Sequence, residues 1–126
     1  MQNELTTYLR AGYPGLAITT AEEARAEAEI AAACAAIKRK LSAWSSTDGL
    51  VDNASNRATP CSDPFEVLTL LERMFSSASP QHVVLMRDLQ LHLDQPDPTF
   101  VRRLKDLILR AKGNGHAIIL LGCHHA

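Results

Sequence analysis

Cysteine is scarce. Cys34, Cys61 and Cys123 are odd in number and scattered through 126 residues, which is no framework for disulfides and fits a reducing compartment, so a cytoplasmic location is expected. Charge of one sign is missing as well. Thirteen Lys and Arg against fourteen Asp and Glu leave a net charge of -1, which supplies no overall field for nucleic acid or anionic lipid. Aromatic residues are 5% of the chain, and none is interleaved with a basic stretch, so base stacking is not expected. No apolar run approaches the ~20 residues that span a bilayer. The opening "MQNELTTYLR" lacks the basic start and apolar stretch of a signal peptide. The six glycines never fall in G-x-x-x-x-G-K-[ST], nor in G-x-G-x-x-G after a strand, so no nucleotide-binding loop is encoded.

What is present is ordinary globular material, with 46% apolar and 21% charged residues, in a length that favours one domain over residues 1–126. Residues Asn3 to Arg10 form a short helix, broken by "GYP". "GLAITT" has the profile of a buried strand. Alanine and glutamate predict a helix from Ala21 to Lys38, with Ile30, Cys34 and Ile37 as its apolar stripe. Thr20 and Glu23 have the spacing of a capping box. "KLSAWSS" reads as a second strand, and Ser45–Ser62 as a long polar loop, a type that tends to be functional or disordered. "DPFEVLTLLERMFSSA" starts with Asp as N-cap and Pro at the first helical position. "HVVLMRD" is a strand and "DQPDP" a turn. Phe100, Val101, Leu104, Leu107, Ile108 and Ala111 give the next helix a buried face, "GNG" stops it, and "HAIILLG" is the last strand.

This alternation calls for an α/β fold with three layers: a mostly parallel sheet of about four strands with helices on both faces. The run Val83–Arg87 leading to Asp88 raises a specific question. In nucleotide-hydrolysing proteins a buried strand ending in an acid often holds magnesium. Here the turn after the first strand reads "TTAEEARAE", with no glycine, no lysine and several carboxylates where phosphate would sit. Anions are attracted to a helix N-terminus only while that site is free of other anions. ATP hydrolysis by this chain alone is therefore not expected.

The segments "ELTTYLRAGYPGLAITTAEEARA", "WSSTDGL", "DPFEVL", "VVLMRDLQLHL", "VRRLKDL" and "IILLG" follow one another in an order similar to the N-terminal region of the stand-alone AAA-type ATPases related to a conserved chloroplast open reading frame. Thr20, Glu22, Glu23 and Arg25 match that family's Thr-x-Glu-Glu-x-Arg strand exit. Trp44, Gly49 and Leu50 match its tryptophan strand and glycine-leucine pair, and Val83–Asp88 its strand ending in an acid. Gly12 stands where the family has arginine. The resemblance implies a P-loop-NTPase-like topology without the P-loop, placed ahead of a true AAA module. ATP and magnesium are then expected only in that module, and this chain carries no cofactor of its own. The expected partners are the AAA module, other subunits and an unidentified protein.

Six residues are candidates for an interaction or vestigial site: Thr20, Glu22, Glu23, Arg25, Asp48 and Asp88. Asp88 is either a relic magnesium ligand or a cap bonding nearby backbone N–H groups at the strand exit. Glu22 and Glu23 suit the first turn of a helix, and Arg25 a solvated surface. Cys123, His124 and His125 are consecutive and cannot converge on one zinc with His116 from a strand. Arg102, Arg103, Lys105, Arg110 and Lys112 read as the solvated face of the last helix. The leading expectation is a non-catalytic binding or assembly module. Its rivals are a receiver-like switch phosphorylated on Asp88 and a divergent nucleotide-binding domain.

Overall fold

The computed structural model describes residues 2–77, 80–88 and 97–123. In chain order the elements are α1 (Gln2–Arg10), β1 (Gly15–Thr20), α2 (Glu23–Ala36), β2 (Lys40–Ser45), β3 (Gly49–Asp52), β4 (Ala58–Thr59), α3 (Pro64–Met74), β5 (His82–Arg87), α4 (Pro98–Asn114) and β6 (Ala117–Cys123). The strands form one sheet in the order β1-β6-β5-β2-β3-β4. β1, β6, β5 and β2 run parallel, as the alternation of strands and helices demands.

β3 and β4 add an antiparallel margin inside the segment expected to be a loop. The expectation of about four strands is thus corrected to six. Both extra strands are too short, at four and two residues, for periodicity to reveal them. The turn into β3 depends on Gly49. Its φ is +74, and a Cβ there would lie 2.4 Å from the Thr59 carbonyl oxygen, so only glycine lets β4 approach.

Side chains along each central strand alternate between two cores. On one face Val83, Leu85, Ile119 and Leu121 pack with Leu5 and Leu9 of α1 and Ile30 and Cys34 of α2. On the other, Trp44, Val84, Met86 and Ile118 pack with Val67, Leu68 and Leu71 of α3 and Phe100, Leu104 and Leu107 of α4. The helix caps follow the sequence signals. Asp63 accepts from Phe65 N at 2.9 Å and Asp97 from Thr99 N at 2.8 Å, each followed by Pro at the first helical position. Gly115, left-handed at φ 78, ends α4. The turn read at "DQPDP" begins outside the described residues. Among the described residues no helix is long and apolar enough to cross a membrane.

The basic residues of α4 are not simply a solvated face. Arg103 reaches Glu72 of α3 at 2.6 Å and lies 6.0 Å from the centre of the Phe65 ring. Arg110 donates to the Glu72 carbonyl at 3.4 Å. These two arginines clamp α4 to α3, whereas Arg102 pairs with Asp106 within its own helix and Lys105 and Lys112 are exposed.

At the opposite end of the strands His116 is buried and stacked on Phe75, with centroids 4.7 Å apart. Its Nδ1 accepts from His82 N at 2.9 Å, which leaves Nε2–H to donate to the Ser77 carbonyl at 2.5 Å. Both ring nitrogens are committed to backbone, so His116 is no metal ligand. His124 and His125 lie outside the described residues, as does the Cys123 side chain.

Burial, and next the neighbouring His116, hold the His82 imidazole below its ordinary pKa. The unfolded chain takes up this proton near the usual histidine value of about 6.5, and the folded chain only at lower pH. Stability is therefore whole above pH 6.5 and falls as pH drops from there toward the folded value. Urea midpoints at pH 7.5, 6.5 and 5.5 should show this decline, and His82→Gln should flatten it.

Candidate functional site at the carboxyl ends of the parallel strands

Parallel α/β sheets bind ligands beyond the carboxyl ends of their strands, and five charged residues gather there. Val83, Leu85 and Arg87 share one face of β5, so Arg87 continues an apolar row toward α2. Glu27 lies one turn beyond Glu23 on α2 and meets it. Arg87 Nε donates to Glu27 Oε2 at 2.8 Å and Nη2 to Oε1 at 2.5 Å, a two-pronged pair with each side chain 25% exposed. Asp48, from the β2–β3 turn, stands 4.0 Å from Arg87 Nη1. Hydrogen bonds to the Glu27 carboxylate raise the Arg87 pKa, with partial burial opposing.

Glu23 and Asp88 complete the cluster on its acidic side. Burial, then the negative charges of Asp88 and Glu27, hold the Glu23 carboxyl above its ordinary range, while Arg87 pulls the other way. Asp88 adopts φ 58, a left-handed conformation that Asp tolerates better than most residues. Its backbone N–H donates to the Leu121 carbonyl at 2.9 Å, tying the exit of β5 to β6. The residues that follow Asp88, whose N–H groups its carboxylate was expected to cap, lie outside the described residues. The backbone makes the tie, and the side chain is exposed.

Thr20, Glu22 and Arg25 lie apart from this cluster, on the outer side of the β1–α2 turn. The capping box is corrected here. α2 begins at Glu23 with Glu22 as N-cap and no side-chain cap. Thr20, still in β1, instead accepts from Glu22 N at 3.0 Å. The helix starts two residues later than a Thr20 cap requires, which frees Glu23 to face β5. Arg25 pairs with Glu22 at 3.2 Å and approaches Glu29 at 4.0 Å. With Arg25 71% exposed, these pairs contribute at most about 1 kcal/mol. A cavity of about 210 Å³ bordered by Thr20, Glu22, Arg25, Ala26 and Glu29 lies here.

The chemistry this arrangement permits is narrow. The α2 N-terminus, where a phosphate would seek free N–H groups, carries Glu22 and Glu23. Arg87, at the end of β5, is already held by Glu27, and Arg25, at the β1–α2 turn, by Glu22. Among the described residues, no group of three or more His, Cys, Asp and Glu is placed to hold a metal ion. Neither described thiol is a ready nucleophile. Burial pushes Cys34 up to about 11, with Arg39 opposing. Burial, followed by Glu66 and Asp63, raises Cys61.

The sheet order also overturns the receiver-like alternative. That fold places its first strand between the second and third, in the order 2-1-3-4-5. Here β1 is marginal, its sheet neighbour is β6, and β2 lies three places away. Sequence reasoning missed Arg87 and Glu27, the centre of the cluster. The period-2 row of β5 pointed to Arg87, and the i, i+4 spacing from Glu23 pointed to Glu27.

These features define a three-layer α/β domain with an internal ion pair at the carboxyl ends of its parallel strands. The family model described as "SpoVK-like AAA ATPase, N-terminal domain" matches residues 1–125, and the chain belongs to that family. A relative in Trieres chinensis, named as the uncharacterized AAA domain-containing protein ycf46, is 31% identical over 121 residues. The match covers 95% of this chain but 24% of that relative. No solved structure matches.

Proposed function

We propose that this chain is the non-catalytic N-terminal binding and assembly module of an AAA-type ATPase, with a P-loop-like sheet that has no phosphate loop. The observation that carries the reading is the Arg87–Glu27 pair, flanked by Glu23, Asp48 and Asp88, at the place where a nucleotide-binding α/β sheet receives its ligand. A triphosphate brought there meets carboxylates, with the arginine already engaged. ATP and magnesium belong to the AAA module, and the partners of this domain are that module and neighbouring subunits in the cytoplasm. The β2–β4 hairpin offers a second contact surface, a groove of about 510 Å³ bordered by Thr47, Asp48, Pro60, Cys61 and Glu66.

The test is calorimetric titration of residues 1–126 with Mg-ATP. No saturable heat is expected at micromolar concentrations. Micromolar affinity would favour the divergent nucleotide-binding alternative instead.

A further inference from the structure

Among the described residues, β1 is a sheet margin that carries none of the usual protection. Edge strands are blunted by charge, proline, bulges or a covering element, because their unpaired N–H and C=O groups invite another strand. Gly15–Thr20 reads GLAITT, without charge or proline. Ile118 N donates to the Pro14 carbonyl, and Gly15 is in register with Ile118. Residues 14, 16, 18 and 20 therefore turn their backbone groups toward β6, and Gly15, Ala17 and Thr19 turn theirs outward.

The ground beside this margin is apolar. A groove of about 190 Å³ runs between α1 and β1, bordered by Leu5, Tyr8, Leu16, Ala17 and Ile18 with Glu4 at its rim. Tyr8 is 43% and Tyr13 51% exposed, and their rings meet edge to face at 5.2 Å. On the other face α4 reaches only the start of the strand. A Cβ on Gly15 would stand 3.5 Å from Ile108, and Ala17 and Thr19 are exposed.

We infer that the free margin of β1 is the docking site of a further parallel strand, supplied in cis by the polypeptide that follows residue 126. Two observations select this occupant. The family domain is N-terminal and fills 24% of the Trieres chinensis relative, which leaves most of such a chain to follow. β6 ends at Cys123 directly beside β1. Handedness then fixes the route. α4 links β5 to β6 over its own face of the sheet by the right-handed crossover that parallel strands obey. A step from β6 past β1 runs in the same direction, so its crossover passes over that same face. It covers Ala17, Thr19 and the Val101–Ile108 flank of α4, where α4 leaves β1 bare. The added strand fills the Tyr8 groove.

The inference rests on the reading that an ATPase chain continues beyond this domain. Its test is hydrogen exchange on the full-length protein, resolved to single amides. Gly15, Ala17 and Thr19 should exchange about 100-fold slower than open amides, at every protein concentration. Ala17→Pro removes one outward donor, a change that an open edge tolerates. In the full-length protein it should return Gly15 and Thr19 to fast exchange while Leu16 and Ile18 stay slow.

Fast exchange at Gly15, Ala17 and Thr19 in a full-length protein that still binds ATP overturns the docking site and leaves the module assignment standing. Protection of residues 1–126 alone that grows with concentration overturns it in favour of a second copy. A reading frame that stops at residue 126 overturns both.

Discussion

Replacing Trp44 with alanine is expected to destabilise the domain by about 3–5 kcal/mol, the range for truncating a buried large aromatic. Trp44 is fully buried in the core beneath α3 and α4. Its indole Nε1–H donates to the Cys61 carbonyl at 2.7 Å. That bond joins β2 to the segment that leaves the hairpin and enters α3. Truncation removes apolar contact and also strands a buried carbonyl, so the two losses add. The thermal midpoint should fall by roughly 10–20 °C. Trp44→Phe separates the contributions, because it keeps most of the packing and loses the donor, for about 1–2 kcal/mol. Urea denaturation of both variants measures the difference. Equal losses would mean that the hydrogen bond carries the whole effect.

The second large effect is expected at the ion pair. Removing one member of a buried pair costs about 3–5 kcal/mol, whereas exposed pairs contribute about 0–1. With each side chain 25% exposed, Arg87 and Glu27 fall between, and Arg87→Met should cost about 2 kcal/mol. The variant leaves Glu23, Glu27, Asp48 and Asp88 without the cation that offsets them, so its loss should be greater at pH 8 than at pH 5, where carboxylates begin to take up protons. In the double variant Glu27→Leu/Arg87→Met neither member of the pair is left without the other, and stability should return to within about 1 kcal/mol of the parent. Denaturant midpoints of the two singles and the double give the coupling directly. Additive losses would show that the two side chains do not act as a pair.

Much of the fold was legible because its signals are local. Asp63-Pro64 and Asp97-Pro98 mark helix starts, Gly115 marks a helix end, and the apolar runs at Gly15, Lys40, His82 and Ala117 begin the four parallel strands. The hairpin was missed although Asp48-Gly49 is a hairpin dipeptide, since the polar residues around it masked a short strand. The capping box failed for a different reason. Its spacing was present, but pairing with β6 keeps Thr20 in the sheet through Cys123, and tertiary structure overrode the local motif.

The site was legible only in part. Glu23, Asp48 and Asp88 were flagged and do gather at the strand ends, whereas Thr20, Glu22 and Arg25 belong to the outer turn. Arg87 looked like a strand residue and Glu27 like one more glutamate on an alanine-rich helix. Their meeting joins positions sixty residues apart, which spacing along one element cannot show.

The central claim is that this pair, with the acids around it, closes the strand ends to a triphosphate. Calorimetry with Mg-ATP tests it most directly when residues 1–126 and the full-length ATPase are titrated side by side. The account predicts saturable binding by the full-length protein and none by residues 1–126. Micromolar binding by residues 1–126 that Arg87→Met weakens would contradict it, since Arg87 would then be serving phosphate rather than Glu27.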